Sequence, residues 1–242
     1  DDCTAEARVA WREAGINRLS IGVQSLRPEI LSALGRDHLG AGEPALEAAR
    51  AAGFTRVSAD LMFGVPTGAG LPDVGPDAGE GDAAGLDPSV YALAETGVGH
   101  LSVYELTIEP RTQFGKRARR GSLVPLAGEV LADQYHAACA ALGALGYEHY
   151  EISSYARPAM RSAHNQRYWR SVPYLGLGPS AHSFDGERRW WNASDLEDYC
   201  RALLGASAVR RGAARGEELL SAEQRRVERI MLGFRTTEGV AQ

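Results

Sequence analysis

Apolar residues recur along this chain with two periods, and the alternation of those periods predicts its architecture. Helical spacing runs over Thr4 to Glu13, Pro28 to Leu34, Glu43 to Ala52, Pro88 to Glu95 and Ala127 to Leu145, the last with Val130, Leu131, Tyr135, Ala138, Leu142 and Leu145 along one face. Between these lies a unit that recurs four times: a helix end, a glycine, a short polar turn and then an alternating or apolar strand. It reads Ala14-Gly15-Ile16-Asn17-Arg18-Leu19-Ser20-Ile21, Ala52-Gly53-Phe54-Thr55-Arg56-Val57-Ser58-Ala59, Thr96-Gly97-Val98-Gly99-His100-Leu101-Ser102-Val103 and Leu145-Gly146-Tyr147-Glu148-His149-Tyr150-Glu151-Ile152. Each first glycine stands where a helix ends in the left-handed conformation, which costs a residue without Cβ least. The units recur about every 40–50 residues, the length of a strand plus a crossover helix and its loops. An α/β fold follows, with parallel strands inside and helices outside, as an open sheet or an incomplete (β/α) barrel.

Elsewhere the pattern changes. Between Thr67 and Asp87 it dissolves into Gly, Asp, Pro and Ala, a long loop or irregular excursion. After Ser153 the chain turns aromatic-rich and glycine-punctuated, with short strands. Ser194 to Leu204 and Ser221 to Phe234 read as closing helices, the latter with Val227, Ile230, Met231 and Phe234 on one stripe. The expected organisation is a partial barrel over 1–153, an aromatic-rich extension over 154–204, a linker over 205–220 and the start of a helical domain over 221–242.

Composition narrows the class. The 242 residues are 44% hydrophobic and 24% charged with a formal net charge of −5, long enough for one large core and of globular composition. No stretch reaches the roughly 18 apolar residues of a membrane helix, and no basic-then-apolar leader is seen, so a cytoplasmic address is expected. The acidic balance argues against nucleic-acid binding by the whole domain. Lys116 is the only lysine, and Lys116-Arg117-Ala118-Arg119-Arg120 reads as a solvated basic turn or as a contact for an anionic partner. Cys3, Cys139 and Cys200 are too scattered for a disulfide framework or a metal-ligand spacing. The chain opens on Asp1-Asp2-Cys3 and stops at Gln242 after a helix, and is expected to be a piece of a longer protein.

Candidate chemistry falls in two places. In parallel αβ architectures ligands bind beyond the carboxyl ends of the strands. Those ends carry Gln24-Ser25, Asp60 to Gly64-Val65-Pro66, Tyr104-Glu105 to Glu109-Pro110, and Glu151 to Ser153. Asp60 stands out because a carboxylate inside the apolar run Val57 to Phe63 needs a partner. A bound ribose hydroxyl, an ammonium or an arginine would serve, and so would a structural salt bridge to Arg36; the sequence leaves these open. Arg36, in Leu34-Gly35-Arg36-Asp37-His38, suits a bidentate carboxylate clamp or a helix-end cation. The second place runs from Ala163 to Asn192, with His164, Asn165, Tyr168, Trp169, Tyr174, His182, Phe184, Trp190 and Trp191. It suits a flat aromatic or amphipathic ligand with imidazole available to iron, or else aromatics bracing a sheet end beside histidines bonded to backbone. Nucleophile-elbow, Walker and dinucleotide fingerprints are absent.

With those residues in place, the chain resembles the radical S-adenosylmethionine proteins related to oxygen-independent coproporphyrinogen III oxidase, most closely the HemW branch of haem chaperones. The matching stretches are Gly15 to Ser25, Leu34 to His38, Ala59 to Pro66, Leu101 to Pro110, Tyr150 to Ser153, His164 to Trp169, Tyr174 to Ser183 and Ile230 to Arg235, in the family's order. His164-Asn165-Gln166-Arg167-Tyr168-Trp169 is similar to the haem-binding motif that separates the chaperones from the oxidases.

The resemblance implies an incomplete radical-SAM barrel, a 4Fe-4S cluster held by a Cys-x3-Cys-x2-Cys loop, and S-adenosylmethionine (SAM) contacted by Gln24, Arg36 and Asp60, with Glu105 and His182 as further contributors. It also implies haem at His164, with Asn165, Tyr168 and Trp169 completing the motif, and an acceptor haemoprotein as partner. Membranes would be met only through that acceptor. The cluster loop, the strand before the first repeat and most of the C-terminal domain are missing from the stretch given, so this polypeptide is expected neither to hold a cluster nor to cleave SAM. The functional expectation is a haem chaperone. Coproporphyrinogen III dehydrogenation and a metal-free β/α enzyme or binding domain are the alternatives.

Overall fold

A computed structural model describes residues 4–36, 40–66, 85–204 and 214–240. The chain divides into two compact units, Asp1–Arg161 and Ser162–Gln242.

In the first unit, helix and strand alternate as the repeats predict. Helix α1 (Ala5–Glu13), capped by the Thr4 hydroxyl, which accepts from the Ala7 amide at 3.2 Å, leads into β1 (Arg18–Gln24). Helices α2 (Pro28–Ala33) and α3 (Gly42–Ala51) precede β2 (Arg56–Phe63). Helix α4 (Ser89–Glu95) precedes β3 (His100–Glu105), and α5 (Gln113–Arg119) and α6 (Gly128–Ala144) precede β4 (Glu148–Glu151). The four predicted helix-end glycines are all left-handed, with φ of 87°, 85°, 72° and 82° at Gly15, Gly53, Gly97 and Gly146. After three of them the next amide reaches back to close the helix: Ile16 to the Trp11 carbonyl, Phe54 to Ala49 and Tyr147 to Leu142.

The fourth strand departs from expectation. A short β5 (Ser154–Ala156) follows β4 after only two residues and inserts between it and β3, giving the order β1-β2-β3-β5-β4. The β1, β2 and β3 pairings are parallel, whereas β5 is antiparallel to both neighbours. The hairpin keeps residues 154–156 in the first sheet, so the first unit closes at Arg161 rather than at 153. The sheet is open, as for an incomplete barrel.

The sheet has two chemically distinct faces. Val57, Ala59, Leu61, Phe63, Leu101 and Val103 point to one side, where they pack with Leu46, Leu93 and Leu142 of α3, α4 and α6 in a single buried core. Burying each of the Val, Leu and Phe side chains contributes about 1.5–3 kcal/mol. The run Val57 to Phe63 is therefore apolar on one face only; Ser58, Asp60 and Met62 point to the other. On α6 the expected stripe is also modified: Val130 is exposed and Gln134 is buried with Ala138 and Leu142. The basic run expected as a turn forms the end of α5, where Lys116, Arg117 and Arg119 meet the carbonyl end of the helix.

The second unit holds α7 (Ala163–Trp169), an antiparallel sheet of β6 (His182–Phe184), β7 (Arg188–Asn192) and β8 (Ala214–Leu219), and helices α8 (Leu196–Leu204) and α9 (Ala222–Gly233). The β6–β7 turn is made by Asp185, whose carboxylate accepts from the Glu187 and Arg188 amides at 3.0 and 2.7 Å. Strand β8 corrects the linker expected over 205–220. Residues 214–219 pair with β7, because Arg188 and Arg189 meet Glu217 and Glu218 across the ladder. Residues 205–213, like most of the loop expected from Thr67 to Asp87, lie outside the described residues. Ser221 caps α9 in a reciprocal box with Gln224, and the stripe Val227, Ile230, Met231 and Phe234 is solvent-exposed.

Candidate functional site

The face of the first sheet turned away from the core is polar. Register places Ser20 and Gly22 of β1, Ser58 and Asp60 of β2, and His100, Ser102 and Tyr104 of β3 side by side on it. Ser20 donates its hydroxyl to both Asp60 carboxylate oxygens, at 2.9 and 3.0 Å, and Ser102 bonds the same group. Burial pushes the Asp60 carboxyl above its ordinary value, against the pull of those two hydroxyls and the Arg18 guanidinium. The salt bridge to Arg36 entertained from sequence is not its partner among the described residues. Arg36 is exposed just past α2, its amide bonded to the Leu31 carbonyl, and Asp37 and His38 of its motif lie outside the described residues.

Gln24 sits at the exit of β1 with φ +67°, a left-handed backbone uncommon for a residue with a side chain. Its amide folds back over Gly22, the register partner of Asp60; a Cβ at Gly22 would lie 2.7 Å from Gln24 Nε2. A carboxylate and a carboxamide are thus held together at the strand exits, with Tyr104 beside them, a set able to accept from and donate to vicinal hydroxyls. Glu105 does not join them. It alternates to the helix-covered side, in register with Phe63, its Cγ lying over Gly64, where an added Cβ would also meet Leu131 of α6.

Sequence reasoning missed what braces these exits. Ser25 donates to Asp87 at 2.5 Å, Asp87 accepts from the Ser89 amide at 2.8 Å, and the Ser89 hydroxyl accepts from Leu26 N at 2.7 Å, all buried or nearly so. Gln134 of α6 accepts from Gly64 N and donates to the Gly85 carbonyl, each at 3.0 Å. His100 bridges Ser58 (2.6 Å) and Tyr150 (2.8 Å), and burial pushes its pKa from 6.5 down to about 3, so it is neutral. The recurrence of serine at Ser20, Ser58 and Ser102, flanked by apolar residues in three successive units, was the signal available for the polar face.

The second unit carries the aromatic site. Ser162 caps α7, accepting from Asn165 N at 3.3 Å, and the helix brings Tyr168 one turn beyond His164, so that the phenol oxygen and His164 Nε2 stand 3.0 Å apart. Tyr168 packs edge-on against Tyr174 with ring centroids 4.7 Å apart. These tyrosines, His182, Phe184 and Trp191 line a cavity of about 400 Å³, walled on its far side by Arg189, Glu218 and Glu228. Arg189 pairs with both glutamates at 2.9 and 2.7 Å, one guanidinium shared by two carboxylates. The Trp191 indole lies across Gly216, where a Cβ would come within 2.5 Å of it. The loop before β6 is fixed by Asn192, which donates to the Gly178 carbonyl at 2.8 Å, and by Ser183, which accepts from Gly176 N at 2.9 Å. His182, assigned by resemblance to the SAM pocket with Gln24 and Asp60, belongs to this second unit.

Among the described residues no group of three His, Cys, Asp or Glu side chains converges as a metal site. Cys139 and Cys200 stand in different units, and Cys3 lies outside the described residues. The described residues do not fit a 4Fe-4S cluster. No helix among them is long and apolar enough to cross a membrane.

No protein-family model matches the chain. Its fold is similar to that of coproporphyrinogen III oxidase (HemN) from Escherichia coli, described as a radical SAM enzyme, with a TM-score of 0.71, 21% identity, and coverage of 96% of this chain and 52% of that one. The architecture is therefore of the radical SAM class. Among curated relatives, haem chaperone HemW of Mycobacterium tuberculosis is 36% identical over 230 residues, 95% of this chain and 55% of that protein. HemW of Bacillus subtilis is 33% identical over 243 residues, 100% of this chain and 60% of that protein. The chain belongs to the HemW-like family of radical SAM proteins, and it spans about half the length of the curated relatives it matches.

Proposed function

We propose that this chain forms part of a haem chaperone, which binds haem and passes it to acceptor haemoproteins in the cytoplasm. The observation that carries the reading is the aromatic cavity of the second unit, where Tyr168 of the His164–Trp169 motif meets Tyr174, His182, Phe184 and Trp191. Its volume falls within the roughly 300–1,000 Å³ of ligand clefts, and flat aromatic walls suit a porphyrin face. His164, Asn165, Tyr168 and Trp169 are assigned to haem as a motif on one helix.

The polar face of the first sheet is assigned to SAM. Asp60 would accept from ribose hydroxyls and Gln24 would orient them, in competition with the Ser20 and Ser102 hydroxyls that hold the carboxylate. Arg36, Glu105 and His182 rest on the resemblance alone for that role. When bound, a cluster and SAM would supply radical chemistry in the whole protein; Asp60 and Gln24 bind and orient only.

The test is direct transfer. The full-length parent protein, loaded with haemin and mixed with an apo-haemoprotein, is expected to give up its Soret band as that of the acceptor grows. Anaerobic decarboxylation of coproporphyrinogen III by the same reconstituted protein would overturn the chaperone reading in favour of the dehydrogenase.

A further inference from the structure

The aromatic cavity contains an imidazole that the motif does not include. His182 lies on β6 opposite Trp191, its ring 5.6 Å from the indole, and it lines the cavity. Among the described residues neither of its ring nitrogens has a hydrogen-bond partner. His164 differs on both counts. Its Nε2 is engaged by the Tyr168 hydroxyl at 3.0 Å, its ring stands edge-on to that phenol, and it does not line the cavity.

Against this cavity lies a second cleft of about 880 Å³, which shares Ser171, Phe184 and Glu228 with it. Four arginines line the cleft. Arg170 is paired with Glu238, and Arg225 with Glu187 at 2.7 Å. Arg226 and Arg229 have no ion-pair partner among the described residues. An aromatic slot with one unengaged imidazole therefore adjoins a wall with two uncompensated guanidinium charges. That pattern matches a flat metallated macrocycle bearing two carboxylates on one edge.

Resting on the haem-binding reading above, we propose that His182, not His164, supplies the imidazole lone pair to the haem iron, and that Arg226 and Arg229 receive the propionates. His164 is then a positioning residue, which orients Tyr168 at the cavity wall. A neutral imidazole needs a free ring nitrogen to ligate iron, and among the described residues that line the cavity His182 offers one without breaking an existing bond.

The experiment titrates the full-length parent protein, wild type and variants, with ferric haemin and with metal-free protoporphyrin IX. Soret and charge-transfer bands and the ferric EPR signal report ligation, and tryptophan quenching reports occupancy. His182→Ala is expected to abolish the imidazole-ligated spectrum and weaken haemin about tenfold or more, while protoporphyrin IX binding stays within about twofold of wild type. Added imidazole should restore the ligated spectrum to His182→Gly. His164→Ala should retain the ligated spectrum with both ligands bound more weakly, and Arg226→Ala/Arg229→Ala should weaken both ligands about tenfold, the signature of contacts to carboxylates rather than to iron. A wild-type spectrum in His182→Ala, or its loss in His164→Ala alone, overturns the assignment and leaves the haem-binding reading standing. If wild type binds neither macrocycle, that reading falls and this assignment falls with it.

Discussion

The polar face of the first sheet and the aromatic cavity of the second unit are both concentrations of chemistry, and they differ in how far the protein has already used its own groups. On the sheet, Asp60 is held by Ser20 and Ser102, His100 by Ser58 and Tyr150, and Ser25 by Asp87. In the second unit the walls are ordered by Arg189, Asn192 and Tyr174, but among the described residues His182, Arg226 and Arg229 are left open. Partnered buried groups position a site, because leaving them unmade costs the desolvation of each. Unengaged groups on a cavity wall are the ones that recognise a ligand without first giving up a bond.

The comparison breaks most readily at the core under the sheet. Leu101→Ala removes a fully buried side chain and is expected to cost roughly 2–5 kcal/mol, read as a lower urea midpoint, while the second unit's tryptophan emission keeps its native position at low urea. Simultaneous loss of both signals would show that the units do not differ in this way. Next, Gln134→Leu orphans the Gly64 amide and the Gly85 carbonyl, for about 1–3 kcal/mol of destabilisation by thermal melting. No change would mean that the strand exit is braced elsewhere.

Gly216→Val sharpens the other side. Its side chain would occupy the space of the Trp191 indole, so tryptophan fluorescence should shift and haemin binding weaken, with about 1–3 kcal/mol of overpacking strain. Unaltered haemin affinity would separate Trp191 from the proposed site.

Two pH experiments probe the partnered face. The depressed pKa of His100 means that the unfolded chain takes up a proton the native chain refuses. Stability is then full above about 6.5 and falls as pH drops toward about 3, by at most ~1.4 kcal/mol per pH unit. His100→Gln should flatten that slope in urea titrations; an unchanged slope would assign acid sensitivity to other groups. Asp60 has the opposite sign. Its raised pKa means the native state binds the proton more tightly, so Asp60→Asn should melt slightly higher than wild type at pH 7, with the difference vanishing below pH 3.8. A lower melting temperature at pH 7 would make the carboxylate a net structural asset.

Legibility in the sequence was uneven for physical reasons. Helix and strand positions were readable because core burial imposes a period on nearby residues, and the left-handed glycines Gly15, Gly53, Gly97 and Gly146 marked the turns between them. The face that Glu105 takes was not legible, because proximity to a strand exit does not tell which side of the sheet a side chain takes; the register with Phe63 does. β8 was hidden in an arginine- and glutamate-rich stretch whose partner, β7, lies more than twenty residues earlier.

By itself the sequence determined the α/β class, the strand exits as the place for Gln24 and Asp60, and the family. All of these depend on local periodicity or on contiguous motifs. Only the tertiary structure decided that β5 intrudes between β3 and β4, that Ser20 and Ser102 rather than Arg36 hold Asp60, and that His182 shares a cavity with Tyr168. These depend on pairings between distant segments, where backbone register and packing, not neighbouring residues, determine which groups meet.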